Sequence, residues 1–290
     1  MSASGARVRA PRVPGRTPPW LAGLNVAGLG LWLTLATFPF LWMILISFRA
    51  PVDAFAVPPK LVAPVTFENF RAIWIGDGFW RFGLNTTLVT GATVLVSLAF
   101  GCLAGYALSR YSGRLGLWLL LAALVFRAMP HVVLLTSYKP FFFQTGLWSR
   151  YETLIIVYVA INQPFAIWML RSFFVNIPRE LDEAALVDGC TPFQAFRHVI
   201  VPVMWPGIAT AGLFSFLLAY NDFLIANQLM SGDMQTMTAA LGNYLGQSRH
   251  MDKLMMGVAG AVSITLPLIV LVLVFQRYLV AGMTQGAVKG

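Results

Sequence analysis

The chain has 290 residues, a net charge of +9, 58% hydrophobic and 11% charged residues, and a mean hydropathy of +0.73. An ordinary soluble domain carries about 25% charged residues, so this composition excludes a water-soluble globule and points to a lipid bilayer. The basic excess is scattered over short segments with no aromatic-interleaved patch, which fits membrane topology and not a nucleic-acid surface.

Crossing about 30 Å of hydrocarbon takes about 20 apolar residues in a helix, which satisfies its own backbone. Residues 1–20, with Arg7, Arg9, Arg12 and Arg16, read as a disordered cytoplasmic tail. Residues 21–290 read as an all-α transmembrane domain, with spans expected at 21–48, 82–109, 115–138, 153–170, 203–226 and 254–276. The first uncharged run covers 28 residues, well beyond the roughly 7–15 of a signal-peptide core. It is therefore read as an uncleaved span, although Ala54-Phe55-Ala56 imitates a cleavage site. Segment 115–138 holds Arg127, Pro130 and His131; a buried core helix, a re-entrant segment and a true span all stay open, and counting it as a span gives six.

The arginines of the tail, with Arg110 and Arg114 after the second span, place both termini in the cytoplasm by the positive-inside rule. In that layout eleven Lys/Arg lie in the cytoplasm, eight outside, and Arg127 within the membrane. Outside, 49–81 reads as an irregular cap rich in proline. In 227–253, Met237, Leu241, Tyr244 and Leu245 recur near helical spacing, as a helix packed on the spans or as a substrate-side gate.

Other chemistry is sparse. Cys102 and Cys190 are not placed to pair, and His131, His198 and His250 are too scattered for a metal set. No lysine follows a glycine as a phosphate-binding loop requires.

The cytoplasmic stretch 171–198 is different. Pro178 suits the first turn of a helix, Glu180, Asp182 and Glu183 suit its positive end, and Gly189 suits its stop. A short helix over 177–190 results, with an apolar side at Leu181, Ala184, Ala185 and Leu186. An ordinary amphipathic connector would look similar, but Thr191-Pro192 starts a second short segment leading back to the membrane.

Glu183-Ala184-Ala185, Gly189 and then Val199-Ile200-Val201-Pro202 resemble the cytoplasmic signature of the membrane subunits of ATP-binding-cassette importers. Valines stand for the usual Ile and Leu. The resemblance runs over nearly the whole chain and narrows to the carbohydrate class, similar to the smaller maltose-type permease. It is carried further by Asn85-Thr86, Leu170-Arg171-Ser172-Phe173-Phe174, Ile177-Pro178-Arg179-Glu180-Leu181, Tyr220-Asn221-Asp222-Phe223, and Gln276-Arg277-Tyr278 through Lys289-Gly290. Tyr220 stands where the family usually has Trp.

The resemblance implies a type I importer fold with six spans and a cytoplasmic coupling helix, in a bacterial inner membrane. It implies a second homologous permease, two ATPase subunits that bind ATP and Mg, and a soluble extracytoplasmic solute-binding protein; no cofactor is expected in this chain. Glu183, Ala184, Ala185, Gly189 and Pro202 would couple to the ATPase. An enzyme is not expected, and a self-contained ion- or proton-coupled transporter is the alternative.

An arginine at a helix centre costs about 2.5–3.5 kcal/mol on insertion scales, so Arg127 should face a cavity or a partner. With His131, Asn162, Gln163, Tyr220, Asn221 and Asp222 it forms the candidate substrate path, because polar and aromatic side chains suit sugar hydroxyls and ring faces. Helix-to-helix hydrogen bonding is the competing role for the same residues.

Overall fold

The computed structural model describes residues 19–287 apart from 59, 61, 112, 129–130 and 247–249, and the side chains of 19, 22, 131–137 and 277–287 also lie outside the description. The tail expected at 1–20 therefore falls, but for its last two residues, outside the described part. Residues 1–46 and 47–290 form two units. In the first, α1 (Pro19–Ser47) carries neither acid in its first turn nor base in its last. Its residues are apolar on every side, as suits a helix solvated by lipid.

In the second unit the longer helices are α2 (Trp80–Arg110), α3 (Leu115–Arg127), α4 (His131–Gln144), α5 (Tyr151–Phe174), α6 (Glu180–Val187), α7 (Pro192–Val203), α8 (Trp205–Asn221), α9 (Leu224–Leu229), α10 (Met237–Gly246) and α11 (Met251–Ala287). No strand occurs among the described residues. Four described helices are long and apolar enough to cross a membrane: α1 from Gly23, α2, α5, and α11 to Gln276. A fifth arises if α7 and α8, which meet at a 79° bend, count as one span.

Two expected spans are drawn differently. Residues 115–138 are shared between α3, which ends at Arg127, and α4, which begins at His131. Pro130, which lacks an N–H and disfavours helix in the residue before it, stands in the sequence between them. The run 203–226 is also broken: α8 starts at Trp205 and stops at Asn221, and α9 follows from Leu224.

Helices α2 and α5 form the centre of the second unit, with α8 against both, α3 on α5, and α11 on α8 and α10. The α2/α5 contact is close because of glycine. A Cβ on Gly105 would lie 3.0 Å from the Arg171 nitrogen and 3.1 Å from Leu170 Cβ, and one on Gly101 would lie 2.9 Å from Leu170 Cδ1. Small residues at such crossings let helix backbones approach where lipid supplies no hydrophobic drive. One apolar cluster, with Cys102, Leu170, Phe174, Phe196 and Ile200, lies toward the Arg110 end of α2. A second, with Val89, Leu154, Tyr158 and Leu229, lies toward its Trp80 end. Proline interrupts α1 at Pro39, α5 at Pro164 and α11 at Pro267, whereas α2 runs 31 residues with none.

Candidate functional site

Helix α6 is bounded by local chemistry. Glu180, Asp182 and Glu183 occupy its first turn, where the helix dipole favours acids. Pro178 precedes the helix by two residues and does not enter the first turn, a small correction to the expected start. At the other end Gly189 has φ +85°. The Gly189 N–H donates to Leu186 O at 3.1 Å and the Cys190 N–H to Ala185 O at 3.0 Å, the paired bonds that close a helix on a left-handed residue. Thr191 then opens α7 with a reciprocal cap, its hydroxyl accepting from the Gln194 N–H while the Gln194 side chain accepts from the Thr191 N–H.

The two alanines diverge. Ala185 is buried inside the chain, and α6 packs on α7. Ala184 and Glu183 are exposed, as are Leu186, Val187 at 86% and the neighbouring Phe193. Pro202 is exposed in the last turn of α7, just before the bend. Spacing located the helix; only packing shows which alanine remains accessible.

The inner side of α6 is held by Asp182, named above only as an acid at the positive end of the helix. Asp182 Oδ2 lies 2.7 Å from Arg110 Nη2, with the side chains 16% and 17% exposed, a close charge contact more than an aligned hydrogen bond. The Tyr106 hydroxyl donates to Asp182 Oδ1 at 2.6 Å, and the Arg110 guanidinium lies 5.5 Å from the Tyr106 ring centre. Arg110 Nη1 also donates to Ile177 O at 3.1 Å, and Arg179 Nη2 donates back to Arg110 O at 3.1 Å. Helix α6 is thereby fastened to the end of α2. Tyr106 and Arg110 are four residues apart on one helix face, whereas Asp182 lies 76 residues from Tyr106, beyond the reach of local spacing.

At the Trp80 end, Asn85 uses its whole amide. Its Nδ2 donates to Asp233 O at 2.7 Å and Gln235 O at 2.8 Å, while its Oδ1 accepts from the Tyr151 hydroxyl at 2.8 Å. Beside it the Met237 N–H donates to Thr86 Oγ1 at 2.8 Å. Helix α10, expected as a packed helix or a gate, lies against α11 and has Met237, Ala239 and Ala240 buried. It borders a cavity of about 210 Å³ with Asp77, Phe82 and Lys253. Burial, then the Asp77 carboxylate, pushes the Tyr244 phenol up to about 12, so it stays a neutral donor near pH 7.

The candidate path residues separate into two groups. Asn162 donates to Ser215 Oγ at 2.6 Å, joining α5 to α8, and the Tyr220 hydroxyl donates to Ile264 O at 2.8 Å, joining α8 to α11. Asp222 accepts from the Tyr158 hydroxyl at 3.0 Å and from the N–H groups of Ile225 and Ala226 at 2.9 and 3.1 Å, capping α9. These three make helix-to-helix bonds. Asn221 is exposed and donates to Leu217 O within its own helix. Gln163 Nε2 reaches Ser97 O at 3.4 Å, while its Oε1 and the buried hydroxyls of Thr90, Thr93 and Ser97 make no hydrogen bond within the described protein. The Arg127 guanidinium lies over the Phe165 ring at 4.6 Å, a cation–π contact between α3 and α5. The side chain of His131 lies outside the described residues.

Residues 97–285 match the family described as binding-protein-dependent transport system inner membrane component. The chain is 37% identical to the trehalose transport system permease protein SugB of Mycobacterium tuberculosis, over 88% of this chain and 93% of that protein. It is 31% identical to the trehalose/maltose transport system permease protein MalG of Thermococcus litoralis, over 92% and 96%. In fold it is similar to a chain of a bacterial ABC transporter involved in the import of the acidic polysaccharide alginate, with a TM-score of 0.75 and 21% identity over 92% of this chain and 99% of that one.

Proposed function

The chain belongs to the family of binding-protein-dependent transport system inner membrane components, and from that premise we propose how it works as the membrane-spanning subunit of an ATP-driven sugar importer. The observation that carries the reading is the form of α6: a short helix closed by Gly189, anchored on its inner side by Asp182, and offering Glu183, Ala184, Leu186 and Val187 outward. Such a face suits a groove on an ATPase subunit, with Glu183 making polar contacts, Ala184 allowing close approach and the apolar pair filling the groove. Ala185 and Pro202 act from behind, one packing α6 onto α7 and the other shaping the entry to the bend.

In the proposed assembly this chain pairs with a second homologous permease, two ATPase subunits bind ATP and Mg, and a soluble binding protein delivers solute from outside. Both termini lie in the cytoplasm, α3 and α4 together supply the sixth crossing, and ATP hydrolysis belongs to the separate subunits. Nucleotide binding favours the closed ATPase pair and so shifts the permease between inward- and outward-facing states, an equilibrium biased by differential affinity for the two.

The relatives named for trehalose and maltose transport support a di- or oligosaccharide, or a polyol or sugar derivative, as solute. With Asn162, Tyr220 and Asp222 engaged between helices, the solute path is assigned to Arg127, His131, Gln163 and Asn221. The family match favours this reading over a self-contained ion-coupled transporter.

The test is purification from the native membrane through a tag on this chain, followed by reconstitution with ATP inside the vesicles. Labelled trehalose and maltose should enter only when ATPase subunits copurify and binding protein is present. Solute movement by this chain without any ATPase subunit would refute the assignment.

A further inference from the structure

We propose that α2 carries the movement of α6 across the membrane to the loop 231–237, with Asp182 and Asn85 as the positioning residues at its two ends. This rests on the importer reading above. Three observations converge on α2.

First, its ends are fastened to elements distant in sequence. Tyr106 and Arg110 hold Asp182 of α6, and Asn85 holds the carbonyls of Asp233 and Gln235. At a rise of about 1.5 Å per residue the two joints stand roughly 38 Å apart, more than the hydrocarbon thickness. Second, the helix between them has no proline, whereas α1, α5 and α11 each contain one. Proline removes a backbone bond and invites a kink, so α2 is the long helix best able to transmit displacement without bending. Third, Gly105 seats α2 against the α5 backbone at Arg171 and Ile167, and Gly101 admits the Leu170 side chain of α5, a close crossing that makes the pair move as one body.

The joints are built to pull as well as push. Arg110 grips α6 by its carboxylate and the turn before it by Ile177 O. Asn85 donates twice to the loop and accepts once from Tyr151 on α5, so the loop follows the α2/α5 pair and not either helix alone.

The experiment uses the complex purified from its native membrane by a tag on this chain, with Cys102→Ala, Cys190→Ser and a fluorophore on Met234→Cys, an exposed loop position. Trapping with ATP and vanadate should shift the fluorophore signal in this background. In Asp182→Asn and in Asn85→Ala the ATPase subunits should still copurify and trap nucleotide, while the signal change falls by about tenfold, the scale of removing one partner of a hydrogen-bonded charge pair or a fully used amide. The exchanged pair Arg110→Asp with Asp182→Arg should recover much of the change. Should Asn85→Ala fail to accumulate, Tyr151→Phe removes only the hydroxyl that fixes Asn85, and a partial loss is expected. Full signal changes in the variants would overturn the proposal. So would shedding of the ATPase by Asp182→Asn that the exchanged pair does not reverse, since Asp182 would then only build the dock. Absence of trapping in the unsubstituted complex would instead fault the importer reading itself.

Discussion

The two ends of α2 are fastened by different chemistry. At Arg110 the joint is ionic: a guanidinium and a carboxylate, each mostly covered, supplemented by a phenol and a backbone carbonyl. At Asn85 it is neutral, a side-chain amide reading two backbone carbonyls and one hydroxyl. Charge attraction tolerates changes of angle, so an ionic joint can hold while its partner helix tilts. An amide bonded to backbone demands alignment and keeps its loop in register. The difference suggests a swivel at one end and a clamp at the other.

Both joints depend on the α2/α5 crossing, where a substitution has the largest expected effect. Gly105→Leu places side-chain atoms where the Arg171 nitrogen and Leu170 Cβ already stand, an overpacking that costs about 1–3 kcal/mol or more. Loss of the monodisperse peak in detergent chromatography is the expected outcome, with both joints failing together. Gly189→Val leaves both joints and attacks the stop of α6. Its φ of +85° is adverse for a β-branched residue by about 1–2 kcal/mol, so ATPase copurification should fall while thermal stability of the permease changes little.

Tyr151→Phe removes one bond from the clamp, worth about 0.5–1.5 kcal/mol. Hydrogen exchange at the Met237 amide should quicken and that of α6 should not. The smallest effect separates the joints by solvent. Raising salt from 0.1 M to 1 M shortens the screening length from about 10 Å to about 3 Å, which should speed exchange in α6 modestly and leave residues 235–237 unchanged. Equal responses at both ends would erase the distinction between swivel and clamp.

Much of α6 could be read in advance because its determinants are local: acids in a first turn, a glycine three residues past Leu186, and a threonine before Pro192. The long uncharged runs announced α2 and α5 for the same reason. What could not be read were contacts between distant segments. Tyr106 meets Asp182 across 76 residues, and Asn85 meets Gln235 across 150; no periodicity links such positions. Asp222 looked like a polar residue at the close of a span, yet its carboxylate caps α9, a role hidden by an apolar run that seemed to continue through Ala226. Hydropathy likewise averages over direction, so it gave no angle for the 79° turn between α7 and α8, although Pro202 and Pro206 flank it.

That turn has a consequence for the lipid. Trp205, 59% exposed, stands at the corner next to exposed Val203, and Phe193 lies exposed earlier in α7. Tryptophan is enriched at the headgroup boundary of a bilayer; a corner seated there would hold α7, and with it α6, at a height the membrane sets. Hydrophobic mismatch costs fractions of a kcal/mol per Å, enough to make acyl-chain length a quiet tuner of how α6 is presented to its partner.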